Sequence, residues 1–331
     1  MTVTSYLLIE PKLQCYLADD SIRVIEQVQG LWSGYGSIIR CYSKNKDLNY
    51  IVKYIQTSEP TTPHPRGWSG DTSHQRKVKS YKVEMTFYQQ YAKQCNKLCK
   101  IPKLVETIEL NNGHLLVMED LYASGYQISA QRNDWGRLKI AIHWLANFHS
   151  IFMFSKTDRL WPQGSYWHLG TRGDELMKMP ASIFKTEANN LDLMLRNAKY
   201  QTLIHGDAKF ENLCFHTKYN SVAAVDFQYI GRGAGVIDLA YLVGSALDNS
   251  GLQEFGDRVL PLYINTLITA CKHNGVNINV EQLCKEYSVL YPVAWADFYR
   301  FLLGWNPDSW KINSYMVKIA NIGITLLNKS R

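Results

Sequence analysis

Apolar and polar residues alternate along the first third of the chain with the period expected of a small antiparallel sheet. Five runs rich in β-branched and aromatic residues are separated by turn-like residues such as Gly30, Gly34 and Asn45. The predicted strands cover residues 23–29, 37–43, 49–55, 103–110 and 114–119. The pattern therefore predicts a five-stranded antiparallel sheet in this part of the molecule.

Between the third and fourth strands the hydrophobic period changes to that of a helix. Val83, Phe87 and Tyr91 are spaced four residues apart, which places them on one stripe of a helix predicted over residues 73–96. The preceding segment, 57–73, contains three prolines and is predicted to be a long loop or a lid, because proline interrupts a helix.

Helical periods dominate the chain after about residue 133. A mostly buried helix is predicted over 135–154, and helices fill the remainder from about Val236. Short apolar runs predict three buried strands, at 202–204, 213–215 and 222–225. The change of pattern predicts two domains, an N-terminal one over 1–118 and a larger, mainly helical one over 119–331.

Composition narrows the class of protein. With 46% hydrophobic and 20% charged residues in 331, the chain is expected to bury a core. The net charge of +7 is small for a dedicated nucleic-acid binder of this size, so no nucleic-acid role is expected. Seven cysteines without a disulfide-like spacing favour the cytoplasm, and no signal-peptide or membrane-length apolar stretch is found. We therefore expect a cytoplasmic protein with no membrane partner.

Candidate chemistry concentrates in the run HGDAKFEN and in a second acidic residue downstream. Asp207 and Asn212 lie five residues apart, and Asp226 ends an apolar strand. Phosphoryl transfer from a nucleotide needs a carboxylate that accepts a hydroxyl proton and hard oxygen ligands for Mg²⁺. The alternative is that these are ordinary turn and strand-end residues. The flanking His-Gly pair and the two adjoining apolar strands favour the chemical interpretation.

These residues carry a resemblance to a known superfamily. HGDAKFEN together with VDFQ resembles the catalytic loop and metal-binding strand of the aminoglycoside phosphotransferases and choline kinases. Three further runs resemble its ecdysteroid kinase-like branch, namely HPRGWSGDTSHQRKVKSYKVEMTFYQ, LLVMEDL and WADFYRFLLGW. The resemblance implies an α+β, bilobal protein-kinase-like fold, with a five-stranded sheet plus one helix before a larger helical lobe.

The resemblance also implies roles for individual residues. Asp207 is similar to the family's catalytic base, while Asn212 and Asp226 resemble its two metal ligands. Lys53 lies on the third strand, where a lysine reaches the α- and β-phosphates, and Glu84 lies on the following helix, where its partner is expected. Glu26 or another acid is the alternative partner of this lysine.

Three more residues are candidates for the nucleotide site. Gly34 and Gly36 lie between the first two strands, where backbone N–H groups would cover phosphates, although a plain hairpin turn is the alternative. Glu119 ends the fifth strand, and the resemblance makes it a neighbour of the hinge whose backbone receives adenine. The sequence alone would make it a helix cap.

The expected function is ATP- and Mg²⁺-dependent phosphotransfer to a small-molecule hydroxyl acceptor. Asp226 and Asp238 are only twelve positions apart, which leaves no room for the activation segment of a protein kinase. Asp238 is predicted to cap a helix and to brace the catalytic loop. The acceptor stays open among choline-like, aminoglycoside-like and steroid-like alcohols, as do the nucleotide preference and the oligomeric state. The alternative function is a nucleotide-binding pseudokinase or regulatory module.

Overall fold

The computed structural model divides the chain into two compact units. The structure describes residues 3–31, 34–57, 71–218 and 220–330. Unit 1 comprises Met1–Lys93 and Ile101–Gln127, and unit 2 comprises Gln94–Lys100 and Ile128–Arg331. The predicted segment 57–73 therefore lies almost entirely outside the described residues.

Unit 1 is built on the five-stranded antiparallel sheet that the alternation predicts. Its strands follow the order β1-β2-β3-β5-β4 across the sheet. They are β1 (Ile22–Gly30), β2 (Gly36–Ser43), β3 (Leu48–Gln56), β4 (Leu104–Leu110) and β5 (Gly113–Glu119). All five predicted strands are confirmed, with ends that differ by at most one residue.

One face of this sheet supports an apolar core. Ile39 and Cys41 on β2 alternate with more exposed neighbours, and they pack in a cluster with Val52 on β3. Helix α1 (Val3–Tyr16) contributes Ile9 and Leu13 to the same cluster. The sequence pattern did not predict α1, because Pro11 within it is a helix-breaking signal.

The predicted helix of unit 1 is shorter and less regular than its pattern suggests. Helix α2 covers Asp71–Thr86, and a single π-helical turn continues it over Phe87–Tyr91. Phe87 and Val83 of the predicted stripe are buried, whereas Tyr91 is only half-buried. The π-turn shifts the register of the helix, so the regular spacing of four does not hold to Tyr91.

Unit 2 is mainly helical, as predicted. Its helices are α3 (Trp135–Ile151), α4 (Gly173–Lys178), α5 (Ile183–Thr186), α6 (Ala188–Arg196), α7 (Val236–Ala246), α8 (Asn249–His273), α9 (Val280–Trp305) and α10 (Ser314–Lys329). Along the described residues, no helix is both long and apolar enough to cross a membrane.

Two small sheets in unit 2 frame its central loop. Their strands are β6 (Ile128–Ser129), β7 (Gln201–Ile204), β8 (Leu213–Phe215), β9 (Val222–Ala224) and β10 (Gly231–Ala234). β7 pairs with β10, and β8 pairs with both β6 and β9, all antiparallel. The three predicted buried strands are confirmed, whereas β6 and β10 were not predicted. The loop that carries HGDAKFEN runs from β7 to β8.

Candidate active site

Lys53 and Glu84 form a buried ion pair in unit 1. The Lys53 ammonium lies 2.6 Å from Oε2 of Glu84, and the two residues are only 3% and 1% exposed. Alternation along β3 turns Lys53 toward α2, which presents Glu84. The sequence named this pair and kept Glu26 as the alternative partner. In the structure Glu26 pairs instead with Arg40 on β2.

The glycines between β1 and β2 serve the close approach of two strands. Gly36 has a φ of 130° and opens β2 opposite Ile55. A Cβ atom at this position would lie 2.0 Å from the carbonyl oxygen of Tyr54, so no larger residue fits. Gly34 also has a positive φ, of 77°, and donates its N–H to the carbonyl of Leu31. Their proposed role at phosphates stays a prediction.

Glu119 ties the end of β5 to neighbouring backbone and to the following turn. Its Oε2 accepts a hydrogen bond from the N–H of Lys103 at 3.1 Å, and its Oε1 accepts one from Ser124 at 2.9 Å. The backbone N–H of Glu119 itself donates to the carbonyl of Lys103. The residue ends a strand and caps no helix. Its place beside adenine stays a prediction.

In unit 2, the catalytic-loop candidate begins immediately after β7 and is braced by Asp238. The carboxylate of Asp238 accepts hydrogen bonds from the N–H groups of His205 (2.6 Å) and Gly206 (3.0 Å). Asp238 is fully buried in the first turn of α7. The predicted brace is therefore present. The predicted helix cap is wrong, because α7 begins at Val236 and Gly235 occupies the cap position.

His205 uses one ring nitrogen to contact the residue after β9 and the other to hold the backbone of its own loop. Its Nε2 lies 3.0 Å from the carbonyl oxygen of Val225, and its Nδ1 accepts the N–H of Asp207 at 3.2 Å. These partners assign the proton to Nε2, because a carbonyl only accepts and an N–H only donates. The ring thus connects Val225, the residue before Asp226, to Asp207, the candidate base.

The β8–β9 hairpin brings Asn212 and Asp226 together. Leu213 pairs with Ala224, so the residue before the first strand lies opposite the residues after the second. The N–H of Val225 accordingly donates to the carbonyl of Asn212 at 3.0 Å. Asp226 follows with a φ of 71°, a left-handed conformation that is costly for a residue with a side chain and is found disproportionately at functional sites.

Asp207 lies in a polar cluster whose side chains contact only one of its carboxylate oxygens, Oδ2, among the described residues. Its Oδ2 is 3.4 Å from the ammonium of Lys209 and 3.2 Å from Nδ2 of Asn212. None of the described residues donates a hydrogen bond to Oδ1. Burial raises the pKa of Asp207, and the negative charge of Asp226 raises it further, against the opposing effects of Lys209 and Asn212.

Lys209 is a site residue that the sequence reasoning missed. Burial alone would lower its pKa, but the carboxylates of Asp207, Asp226 and Glu211 raise it above the usual value, so the side chain stays charged. Its position two residues after the candidate base is the signal by which the sequence could have identified it.

The amide nitrogen of Asn212 is directed toward Asp207. Its Nδ2 donates to both the carbonyl oxygen and Oδ2 of Asp207, at 2.9 and 3.2 Å. The amide oxygen receives no hydrogen bond from the part of the chain that the structure describes. Together with the carboxylate of Asp226 it offers hard oxygen donors of the kind that Mg²⁺ prefers. Among described residues no group of three or more His, Cys, Asp and Glu side chains suits a metal ion.

Two tyrosines extend the polar cluster away from the loop. The rings of Tyr166 and Tyr241 contact edge to face with their centroids 5.5 Å apart, and the backbone N–H of Tyr166 donates to the carbonyl oxygen of Gly206 at 3.0 Å. Burial raises the pKa of both phenols, and the nearby carboxylate of Asp207 adds to the increase. Both hydroxyls therefore stay protonated at neutral pH.

Sequence comparison identifies the relatives of this region. Residues 165–276, about a third of the chain, match the sequence model of the ecdysteroid kinase-like family. The matched segment contains Asp207, Asn212 and Asp226. No curated protein matches the chain in sequence.

Solved structures show the fold over the length of the chain. An ethanolamine kinase from Plasmodium vivax is 13% identical with a TM-score of 0.50, covering 100% of this chain and 89% of its own. A variant of aminoglycoside 2′-phosphotransferase-IIIa in complex with GDP is 10% identical with a TM-score of 0.50, covering 98% and 96%. At these identities the likeness establishes the fold. The predicted resemblance is confirmed. The matched family is one of small-molecule kinases, and both solved structures are of small-molecule kinases.

Proposed function

We propose that this chain, a member of the protein-kinase-like superfamily of small-molecule kinases, transfers the γ-phosphoryl group of ATP to a hydroxyl group of a small molecule. The observation that carries the proposal is the environment of Asp207. Its carboxylate is nearly buried, one oxygen is held by Lys209 and Asn212, and no described residue donates to the other. This arrangement suits a group that receives a proton from a bound alcohol.

The raised pKa of Asp207 supports the role of general base. A carboxylate buried beside Asp226 binds a proton more readily than an exposed one. In the proposed reaction the acceptor oxygen bonds to the γ-phosphorus, its proton passes to Oδ1 of Asp207, and the bond to the bridging oxygen breaks as ADP leaves. Because Lys209 stays charged 3.4 Å from Oδ2, it is placed to counter negative charge around the transferred group.

The remaining candidates would hold the nucleotide and the metal. The amide oxygen of Asn212 and the carboxylate of Asp226 would bind Mg²⁺, which supplies positive charge to the phosphates when bound. Lys53, held in one orientation by Glu84, would contact the α- and β-phosphates. Gly34, Gly36 and Glu119 are proposed neighbours of the nucleotide.

The direct test is transfer by the purified chain to compounds of a metabolite extract in the presence of ATP and Mg²⁺. Mass spectrometry should find compounds that gain one phosphoryl group, about 80 Da. Asp207→Asn keeps the shape of the side chain but removes its basicity, so turnover should fall by about 10²- to 10⁴-fold. Asp257→Asn, an exposed residue of α8, is the matched control and should retain full turnover.

Two results would contradict the proposal in different ways. If Asp207→Asn transfers phosphate as fast as the unaltered chain, the role of Asp207 is wrong. If the unaltered chain binds nucleotide but phosphorylates no compound of the extract, the pseudokinase or regulatory alternative is favoured.

A further inference from the structure

Lys311 lies in a well-defined loop close to the candidate active site of unit 2. The loop joins the end of α9 to the start of α10. Within it, Ile312 donates its N–H to the carbonyl of Ser309 at 2.9 Å, and the side chain of Asn313 caps α10 by accepting the N–H of Met316. The backbone that carries Lys311 is therefore held on both sides, although no local sequence signal marks the residue.

The ammonium of Lys311 lies within a cluster of aromatic rings. It is 4.8 Å from the ring centroid of Tyr241, 5.8 Å from that of Trp310 and 5.9 Å from that of Phe298. The negatively charged faces of aromatic rings attract a cation at such distances. The positive charge that this ring cluster favours is thus supplied by the protein itself.

No described residue pairs with this ammonium. The structure places no carboxylate within 4 Å of it and gives it no hydrogen-bond acceptor within the described ranges. Lys209 differs in this respect, since it contacts Asp207. The three N–H donors of Lys311 are therefore accessible to water or to a bound molecule.

The charges around Lys311 place it in the field of the catalytic loop. Burial lowers its pKa to about 8, and the charges of Lys209 and Arg132 act in the same direction, whereas Glu211 and Asp207 oppose the change. Direct contacts connect Lys311 to this loop: its ammonium faces the ring of Tyr241, which lies 5.5 Å from the ring of Tyr166. The N–H of Tyr166 in turn donates to the carbonyl oxygen of Gly206, the residue before Asp207, at 3.0 Å.

We infer that Lys311 selects the acceptor of the proposed phosphotransfer. An alcohol bound with its hydroxyl at Asp207 would present a second, uncharged or anionic oxygen group to the Lys311 ammonium, with aromatic rings against its apolar part. Amino alcohols that carry a positive charge would be repelled by the charges of Lys311 and Lys209. The ring cluster would not attract them, because the Lys311 ammonium already lies against its rings. The inference rests on the proposed function and names the acceptor class as non-cationic alcohols.

Charge fractionation of the acceptors tests this inference. A metabolite extract is separated by cation exchange at pH 7 into cationic and non-cationic compounds, and each fraction is incubated with the chain, ATP and Mg²⁺. We expect phosphorylated products from the non-cationic fraction only. For those acceptors, Lys311→Met should raise KM at least tenfold with a smaller change in kcat, and Lys311→Arg should restore it. Lys318→Met, an exposed lysine of α10, is the matched control.

The pH profile separates this role from a structural one. Lys311 is charged below about pH 8 and neutral above it. The acceptor KM should therefore rise between pH 7 and 9 in the unaltered chain but stay constant in Lys311→Arg, whose guanidinium remains charged.

The outcomes distinguish the two proposals. Products that arise only from the cationic fraction, or an unchanged acceptor KM in Lys311→Met, would overturn the role of Lys311 while leaving phosphotransfer established. Products from neither fraction would overturn the proposed function itself.

Discussion

Lys53 and Glu84 are charged residues that the protein keeps almost wholly out of water. Removing an ion from water is costly, and the 2.6 Å contact between opposite charges offsets part of that cost here. Apolar side chains of similar size would pack in the same place without that cost. Stability alone therefore does not account for this pair, which is consistent with its proposed place at the nucleotide.

The cost of breaking this pair is the first prediction at the residue scale. Lys53→Met should destabilise the protein by about 3 kcal/mol, because it leaves the Glu84 carboxylate buried without its cation. Adding Glu84→Leu to Lys53→Met should recover most of that loss, since no buried charge remains at the pair. Urea unfolding of the two single variants and the double variant measures this. Losses that simply add in the double variant would show that the two side chains are not coupled.

At the scale of elements, the conformation of the loop between β7 and β8 depends on close packing of its backbone against the backbone at Tyr229. Gly206 has a φ of 79°, and a Cβ atom there would lie 2.0 Å from the carbonyl oxygen of Tyr229. The N–H of the same glycine donates to Asp238. The loop is therefore held by backbone contacts that a side chain would displace.

Gly206→Ala should destabilise the protein by about 3 kcal/mol, from the strained φ and the overlap together. It should also lower turnover, because the neighbouring Asp207 would shift. Gly173→Ala is the matched control, since a Cβ atom at Gly173, the first residue of α4, meets nothing within 4 Å. Thermal unfolding and transfer assays of both variants measure the effect. Equal stability of the two would mean that the loop relaxes without cost.

At the scale of the whole molecule, the chain has the fold of small-molecule kinases. Its proposed function requires that it bind a nucleotide. A ligand that binds only the folded state stabilises it by mass action. ADP with Mg²⁺ at 100 times its dissociation constant should therefore raise the free energy of unfolding by about 2.7 kcal/mol. Removing Mg²⁺ with EDTA should reduce the stabilisation of the unaltered chain by ADP. In Asp226→Asn the stabilisation by ADP should already be reduced to that level before EDTA is added. An unfolding midpoint unaffected by nucleotide would contradict nucleotide binding, for kinase and pseudokinase alike.

Much of the fold was predictable because its signals are local. The strands of unit 1 alternate with a period of two, and their predicted ends agree with the structure to within one residue. α1 was missed because Pro11 lies within it, and the predicted helix over 73–96 is interrupted because a π-turn begins at Phe87. Asp238 was predicted to cap a helix, but it lies two residues after the first residue of α7. The sequence does not show at which residue of this turn the helix begins.

The sequence by itself determined the sheet, the helical second unit and the candidate motif, because hydrophobic period and the spacing within HGDAKFEN are properties of neighbouring residues. The resemblance supplied the roles of Lys53 and Glu84, and their ion pair is a tertiary contact across 31 positions. Only the tertiary structure decided which oxygen of Asp207 is left without a protein donor, and that Lys311 lies among aromatic rings from α7 and α9 as well as its own loop. Such contacts join residues far apart in the chain, and their energies depend on burial and distance, which no local pattern encodes.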